Sequence, residues 1–272
     1  MASGTVLTTG ANSGIGLETV LELARRGFRS IGSVRSEAKA EVVAKAAAER
    51  GVEVETVLLD VTDADACERV LSGLELQGLV NNAGYAGTAA VEDVSDDEAR
   101  GQLETMVIAP ARLTRLALPA MRAHGGGRIV NVSSIYGRLT TPLTGWYQAS
   151  KHALEALTDA MRMEVASSGV KVILVEPGGF KTGIWEELER DVESHAGSRY
   201  EPAYRRTLWL TRAAQLFMGH PARVARVIGH AMTTRVPRAR YLVGTDAQAL
   251  AVANRLAPQP VKDFVSRITL GL

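Results

Sequence analysis

The sequence predicts an α/β fold, a doubly wound parallel sheet with helices on both faces. Three observations carry that reading. Short β-rich runs alternate with segments of helical periodicity from residue 5 to about residue 176. A glycine-rich turn, Thr9-Gly10-Ala11-Asn12-Ser13-Gly14-Ile15-Gly16, stands between the first run and the first helical segment. The 272 residues, 46% hydrophobic and 22% charged, have the composition of a soluble globular domain able to bury a large core without staples.

Thr5-Val6-Leu7-Thr8 is the first strand. Leu17, Val20, Leu21 and Ala24 recur at helical spacing and predict a helix over 17–26, which Gly27 ends. A strand over 30–34 leads to a helix over 36–50 closed by Gly51. A third strand over 54–59 and a helix over 63–74 follow. Another strand starts at Leu79-Val80, and a long helical stretch runs from about 95 to 124. Residues 128–133 and 170–176 read as buried strands on either side of a helix over about 146–167. This order implies parallel strands joined by right-handed crossovers, a Rossmann-like sheet. After Pro177 the rhythm changes: 183–235 reads as mostly helical, with an irregular patch over 194–202. Tyr241-Leu242-Val243 is a last short strand, followed by a helix over 247–256 and a Pro-containing tail. There is no internal repeat, low-complexity block or linker, so residues 1–272 read as one domain.

Charge excludes several classes. With 31 basic and 30 acidic residues the net charge is +1, so no global field draws the chain to nucleic acid or to an acidic membrane. Cys67 is alone, which supports neither a disulfide framework nor a cysteine-rich zinc site. His124, His152, His195, His220 and His230 are dispersed without metal-ligand spacing, so no metal is expected. MASGTVLTTGANSG lacks the basic and apolar regions of a secretory signal. No run approaches the ~20 apolar residues of a membrane span. The expectation is a soluble, cytoplasmic protein.

At a strand-to-helix turn, glycines let the backbone bend sharply and approach a pyrophosphate. The helix start there offers free N–H groups and a positive dipole end. Alone, the same residues also describe an ordinary Gly-rich turn. Three further blocks follow in order: Asn81-Asn82-Ala83-Gly84, then Ser134 with Tyr147-Gln148-Ala149-Ser150-Lys151, then Pro177-Gly178-Gly179-Phe180-Lys181-Thr182. With the TGxxxGIG turn, these resemble the short-chain dehydrogenase/reductase family over residues 3 to about 182. A Tyr-x-x-x-Lys pair is only moderately specific by itself; four ordered blocks in a matching frame carry the resemblance. It implies a dinucleotide site at Gly10, Asn12, Ser13, Gly14, Ile15, Gly16, Asp60, Asn81, Ala83, Tyr147, Lys151, Pro177, Gly178 and Thr182.

Tyr147 and Lys151 are four apart on a helix and share a face. A free phenol, with pKa ~10, is a poor proton shuttle near neutrality, and a nearby ammonium lowers that value. A fall of about two to three pH units corresponds to roughly 3–4 kcal/mol. The resemblance implies that Tyr147 is the acid/base, that Lys151 also holds the nicotinamide ribose, and that Ser134 bonds the substrate oxygen. Ser134 ends the strand over 128–133, on the carboxyl edge where open sheets bind ligands.

Cofactor choice is read at the end of the second strand. An NAD-preferring site places Asp or Glu there, but Ser33-Val34-Arg35-Ser36 has no carboxylate. The Arg35 guanidinium suits a 2′-phosphate, so NADP is expected, unless Arg35 is only a solvated turn residue. One departure from the family stands out. The resemblance calls for an Asn in the long helix that supports a proton relay, and Met106 occupies its place. A thioether cannot donate a hydrogen bond, so relay waters are held differently or proton transfer is slower.

Nine of the thirteen aromatics lie between Tyr136 and Phe217, and Tyr85 adds another after the Asn-Asn-Ala-Gly block. With Ser134, we read Tyr85, Tyr136 and Trp185 as walls for a bulky apolar carbonyl or alcohol substrate. Ordinary packing explains Trp209 and Phe217 as well. The resemblance makes 183–235 a variable substrate lid. Ile135-Tyr136-Gly137 and Val175-Glu176-Pro177-Gly178 are similar to the hydroxysteroid and retinol dehydrogenase branch. Family members pair through the helices equivalent to 97–122 and 147–167, which implies a homodimer or homotetramer. The rival reading is a dinucleotide sensor without turnover; Met106 supports it, and intact Ser134, Tyr147 and Lys151 argue against it.

Overall fold

The chain runs β1 (Thr5–Thr8), α1 (Gly14–Arg25), β2 (Arg29–Val34), α2 (Glu37–Arg50), β3 (Glu55–Leu58), α3 (Ala64–Ser72), β4 (Leu76–Asn81), α4 (Asp96–Leu103), α5 (Ala109–Ala123) and β5 (Gly127–Val132). It continues with α6 (Gly145–Glu164), β6 (Val170–Pro177), α7 (Ile184–Ser194), α8 (Glu201–Gln215), α9 (Ala222–Thr233), β7 (Arg240–Val243), α10 (Thr245–Leu256) and α11 (Gln259–Leu270). These elements come from a computed structural model that describes residues 4–272, with the side chains of residues 184–188 outside the description. The strands form one sheet in the order β3-β2-β1-β4-β5-β6-β7, every neighbouring pair parallel.

Successive strand residues point to opposite faces, so the sequence pairs Val6-Leu7, Leu79-Val80, Ile129-Val130 and Val172-Ile173 divide between two cores. One core lies under α3 and α5 and takes in Cys67, Leu113 and Met121. The other lies under α1 and α9, with Leu23, Val224 and Ile228. Covering both faces is what allows strands that are apolar on both sides. The order reverses between β1 and β4, and the crevice at their carboxyl ends is where such sheets take ligands.

Four local departures from the sequence expectation have physical causes. First, β4 starts at Leu76 instead of Leu79. Its ladder with β1 shifts register between Thr5 and Val6, and the Gln77 side chain accepts from the Thr5 N–H at 2.6 Å. Second, the helical stretch over 95–124 begins as expected, at a capping box of Ser95 and Glu98, but a π turn at Glu104–Ile108 separates α4 from α5. The Ala109 N–H reaches back five residues to the Glu104 carbonyl. Pro110 has no N–H for the Met106 carbonyl four residues earlier, so the regular ladder fails there. Third, the Pro-containing tail is the helix α11, with Pro258 before it and Pro260 in its first turn, where a missing N–H costs nothing. Fourth, 183–235 divides: α7 and α8 pack on each other, while α9 completes a core layer. Among the described residues, no helix is long and apolar enough to cross a membrane.

Candidate active site

The glycine-rich turn is held by a clamp between the ends of β1 and β4. Thr9 Oγ1 accepts from the N–H groups of Asn82 and Ala83, both at 2.9 Å, and Asn82 Nδ2 donates to the Thr9 carbonyl at 2.9 Å. Gly10 and Gly14 have φ of +66° and +53°, and a methyl at Gly16 would collide with the Gly10 carbonyl. Ser13 precedes α1 in extended conformation and makes no side-chain cap, and the first helical turn carries no acid. The N–H groups of α1 therefore face a cradle that a β-carbon would fill, which fits a pyrophosphate. Thr182 closes over it: a β-carbon on Gly14 would stand 3.0 Å from Thr182 Cγ2. Asp246 fixes the preceding Pro177-Gly178 corner by accepting from the Gly179 N–H at 2.6 Å.

Arg35 is exposed at the carboxyl end of β2. Burial works to raise the Asp60 carboxyl, but Thr62, donating from N–H at 2.9 Å and Oγ1 at 2.7 Å, and the charge of Arg35 hold it below its ordinary value. Arg35 and Asp60 thus flank one edge of the crevice. Asn81 points elsewhere: its Nδ2 donates to Asn131 Oδ1 at 2.8 Å inside the sheet, which leaves its main chain to face a ligand.

Ser134, Tyr147 and Lys151 converge at the end of β5. Tyr147 shares a hydrogen bond with Ser134, and Lys151 Nζ lies 5.6 Å from the centre of the Tyr147 ring. The expected lowering of the phenol is not found. Burial pushes Tyr147 up to about 12, and the Ser134 bond only partly opposes it. Lys151 is itself desolvated, pushed down to about 8, and donates to the Val132 carbonyl at 3.0 Å. Its ammonium sits over the ring. The start of α6 is strained: Leu143, buried, takes φ of +65°, the one such value outside glycine among the described residues. Gln148 holds this turn by accepting from the Thr141 N–H at 3.1 Å and donating to Thr141 Oγ1 at 2.9 Å.

Comparison with known proteins decides what this arrangement belongs to. The chain matches the family described as short chain dehydrogenase over residues 4–193. It is 34% identical over 266 residues to the uncharacterized oxidoreductase YbbO of Escherichia coli K12, covering 96% of this chain and 93% of that one. The chain is a short-chain dehydrogenase/reductase.

This short-chain dehydrogenase/reductase is also 31% identical over 283 residues to human retinol dehydrogenase 5, covering 96% of this chain and 86% of that one. An actinorhodin polyketide ketoreductase variant solved with NADPH is 29% identical, with a TM-score of 0.76, covering 89% of this chain and 95% of that one.

On the substrate side, Tyr136 meets Tyr147 edge-on, ring centres 6.3 Å apart. Tyr85 is half-buried with its hydroxyl toward Gly101 of α4, where a β-carbon would stand 3.3 Å away. Trp185 lies outside the described side chains. Sequence reasoning missed the residues that tie α7 and α8 to the loop after β4. Tyr204, fully buried, donates to Asp93 Oδ2 at 2.7 Å and accepts from the Ala90 N–H at 2.6 Å; Asp191 accepts from the Thr88 N–H at 2.7 Å. It also missed Thr9 and Asn82, although both stand inside the quoted motifs. Met106 is buried against Gly84, whose β-carbon would stand 3.4 Å from the Met106 sulfur.

Proposed function

We propose that this enzyme is NADP-dependent and interconverts a secondary alcohol and a ketone, or an aldehyde, on a bulky apolar substrate. The convergence of Ser134, Tyr147 and Lys151 beside the glycine cradle carries the reading. The bound dinucleotide supplies or accepts hydride at nicotinamide C4. The turn from Gly10 through Asn12, Ser13, Ile15 and Gly16 holds its pyrophosphate against the start of α1, and Arg35 pairs with the 2′-phosphate. Asp60, Ala83 and Thr182 complete the walls. Lys151 bonds the ribose hydroxyls, and Ser134 orients the substrate oxygen. Tyr147 gives its proton to that oxygen as the carbonyl is reduced and takes it back in the reverse direction. Tyr85, Tyr136 and Trp185, with α7 and α8 as a lid, form the apolar side of the pocket. We place the enzyme in the cytoplasm as a one-domain chain that forms a homodimer or homotetramer.

The test follows NADPH consumption with a panel of bulky apolar ketones and aldehydes, wild type beside Tyr147→Phe. Turnover that falls about 1,000-fold in the variant, within the range for losing a general acid, supports the reading. Tight NADPH binding with no turnover on any member of the panel would shift weight to a sensor.

A further inference from the structure

One turn beyond Lys151 on α6, Glu155 is nearly fully buried and has no part in the steps above. Charged and hydroxyl groups stand on several neighbouring elements. Glu176 comes from β6, fully buried; Arg240 from β7; Arg138 from the turn after Ser134; and Ser133 from the end of β5. Lys151 and Asp159, the latter paired with Arg162 at 2.7 Å, share α6 with it. Arg240 Nη1 bridges the two glutamates, donating to Glu155 Oε2 and, at 2.8 Å, to Glu176 Oε1, while Nη2 donates to Asp159. Arg138 Nη2 donates to Glu176 Oε1 at 2.9 Å. The outer oxygen of Glu155 is thus committed to Arg240.

Its other oxygen faces inward. Glu155 Oε1 and Ser133 Oγ converge on Gly137, where a β-carbon would stand 3.1 Å from the first and 2.8 Å from the second. Among the described residues neither atom has another partner, and the two fall short of full hydrogen-bond geometry with each other. They are still close enough for the hydroxyl to favour the ionised carboxyl.

We propose that Glu155 is a positioning residue for the reaction: its buried carboxylate keeps Lys151 cationic and steadies Ser133, which delivers Ser134 to the site. The inference rests on the roles proposed above for Tyr147 and Lys151. A desolvated ammonium that donates to the neutral Val132 carbonyl tends to lose its proton unless a carboxylate stands near. Burial lowers Lys151, and Glu155 is the charge that opposes the fall. The spacing of four on one helix places the pair on one face. Burial pushes Glu155 up to about 7; Ser133 opposes, Glu176 adds to the rise and Arg240 opposes it. The two groups therefore change charge in neighbouring pH ranges.

Lysine NMR reads this without turnover. The chain has six lysines, and with ε-13C-lysine the Lys151 signal is assigned by its loss in Lys151→Arg. In wild type the main step of the signal should lie at about 8. Glu155→Gln should lower the main step by about one pH unit, a tenfold change in ionisation constant, and Glu155→Asp should keep it near the wild-type position. The alkaline limb of kcat/KM for ketone reduction should move with the NMR step. An unmoved step in Glu155→Gln, or equal shifts in both variants, overturns the proposal. A Glu155→Asp step lowered by about one pH unit overturns it even if the Gln variant does not fold. Correct NMR shifts in a protein that reduces nothing would sink the proposed reaction and leave the hold of Glu155 on Lys151 standing.

Discussion

At Lys151 burial and charge pull in opposite directions, and burial wins; at Tyr147 burial outweighs the hydrogen bond from Ser134. Lys151 ionises at about 8 when folded and at 10.5 when unfolded. Between those values the unfolded chain holds more protons, so the penalty is full below 8 and fades as pH rises toward 10.5. Denaturation of wild type and Lys151→Met should therefore give a stability difference that narrows as pH climbs through this window; a constant difference would refute the assignment. At the other end of the crevice, Arg35→Ala should weaken NADPH about tenfold, the loss of one charge-assisted pair, and leave NADH within about twofold. Unchanged affinity for both dinucleotides would make Arg35 a solvated turn residue, and equal losses would place it on a part that the two share. The candidate residues Ser134, Tyr147 and Lys151 and the glycine turn stood out in the sequence as ordered motifs. The pKa directions did not, because they depend on how much water the folded chain leaves around each group.

The elements that carry the site are held by features with weak sequence signals. The π turn at Glu104–Ile108 follows from Pro110, which deprives the Met106 carbonyl of its donor while the Met106 side chain is buried against Gly84. This shifts attention at the expected Asn position from side chain to main chain. Met106→Asn is expected to change the pH–rate profile, and identical profiles would remove this position from the proton path. Likewise, α7 and α8 owe their position to Tyr204 and Asp191 reaching the loop after β4. Tyr204→Phe strands the Ala90 N–H and Asp93, at a cost of about 1–3 kcal/mol. If α7 and α8 shape the substrate pocket, KM should rise more than kcat falls; a pure fall in kcat would argue against a lid. In the sequence Tyr204 was one aromatic among nine, and nothing local distinguished an anchor from a pocket wall.

On the scale of the whole molecule, the sheet order β3-β2-β1-β4-β5-β6-β7 gathers the glycine cradle, Arg35, Ser134 and the Pro177–Thr182 corner at one carboxyl edge. Groups separated by more than 160 residues become neighbours because parallel strands end on the same side. The flank formed by α5 and α6 leaves Leu157 and Met163 exposed on α6 and Ile108 at the entry to α5. Exposed apolar side chains of this size are suited to a partner copy. Light scattering should give two or four times 29.0 kDa, and Leu157→Glu should lower the mass to one chain. A wild-type protein that stays at 29.0 kDa at every concentration would refute the pairing.

Alternating periodicity and four ordered motifs determined the fold class from sequence and singled out Ser134, Tyr147 and Lys151 as candidates, because strand and helix repeats, glycine turns and the Tyr-x-x-x-Lys spacing are local properties of the chain. What only the tertiary structure decided is long-range. Asn81 turns into the sheet, Arg240 ties Glu155 to Glu176 across three elements, and 183–235 splits between α7 and α8 on one side and the core helix α9 on the other. Each depends on which side chains meet after the strands have stacked, and on the water they lose in doing so.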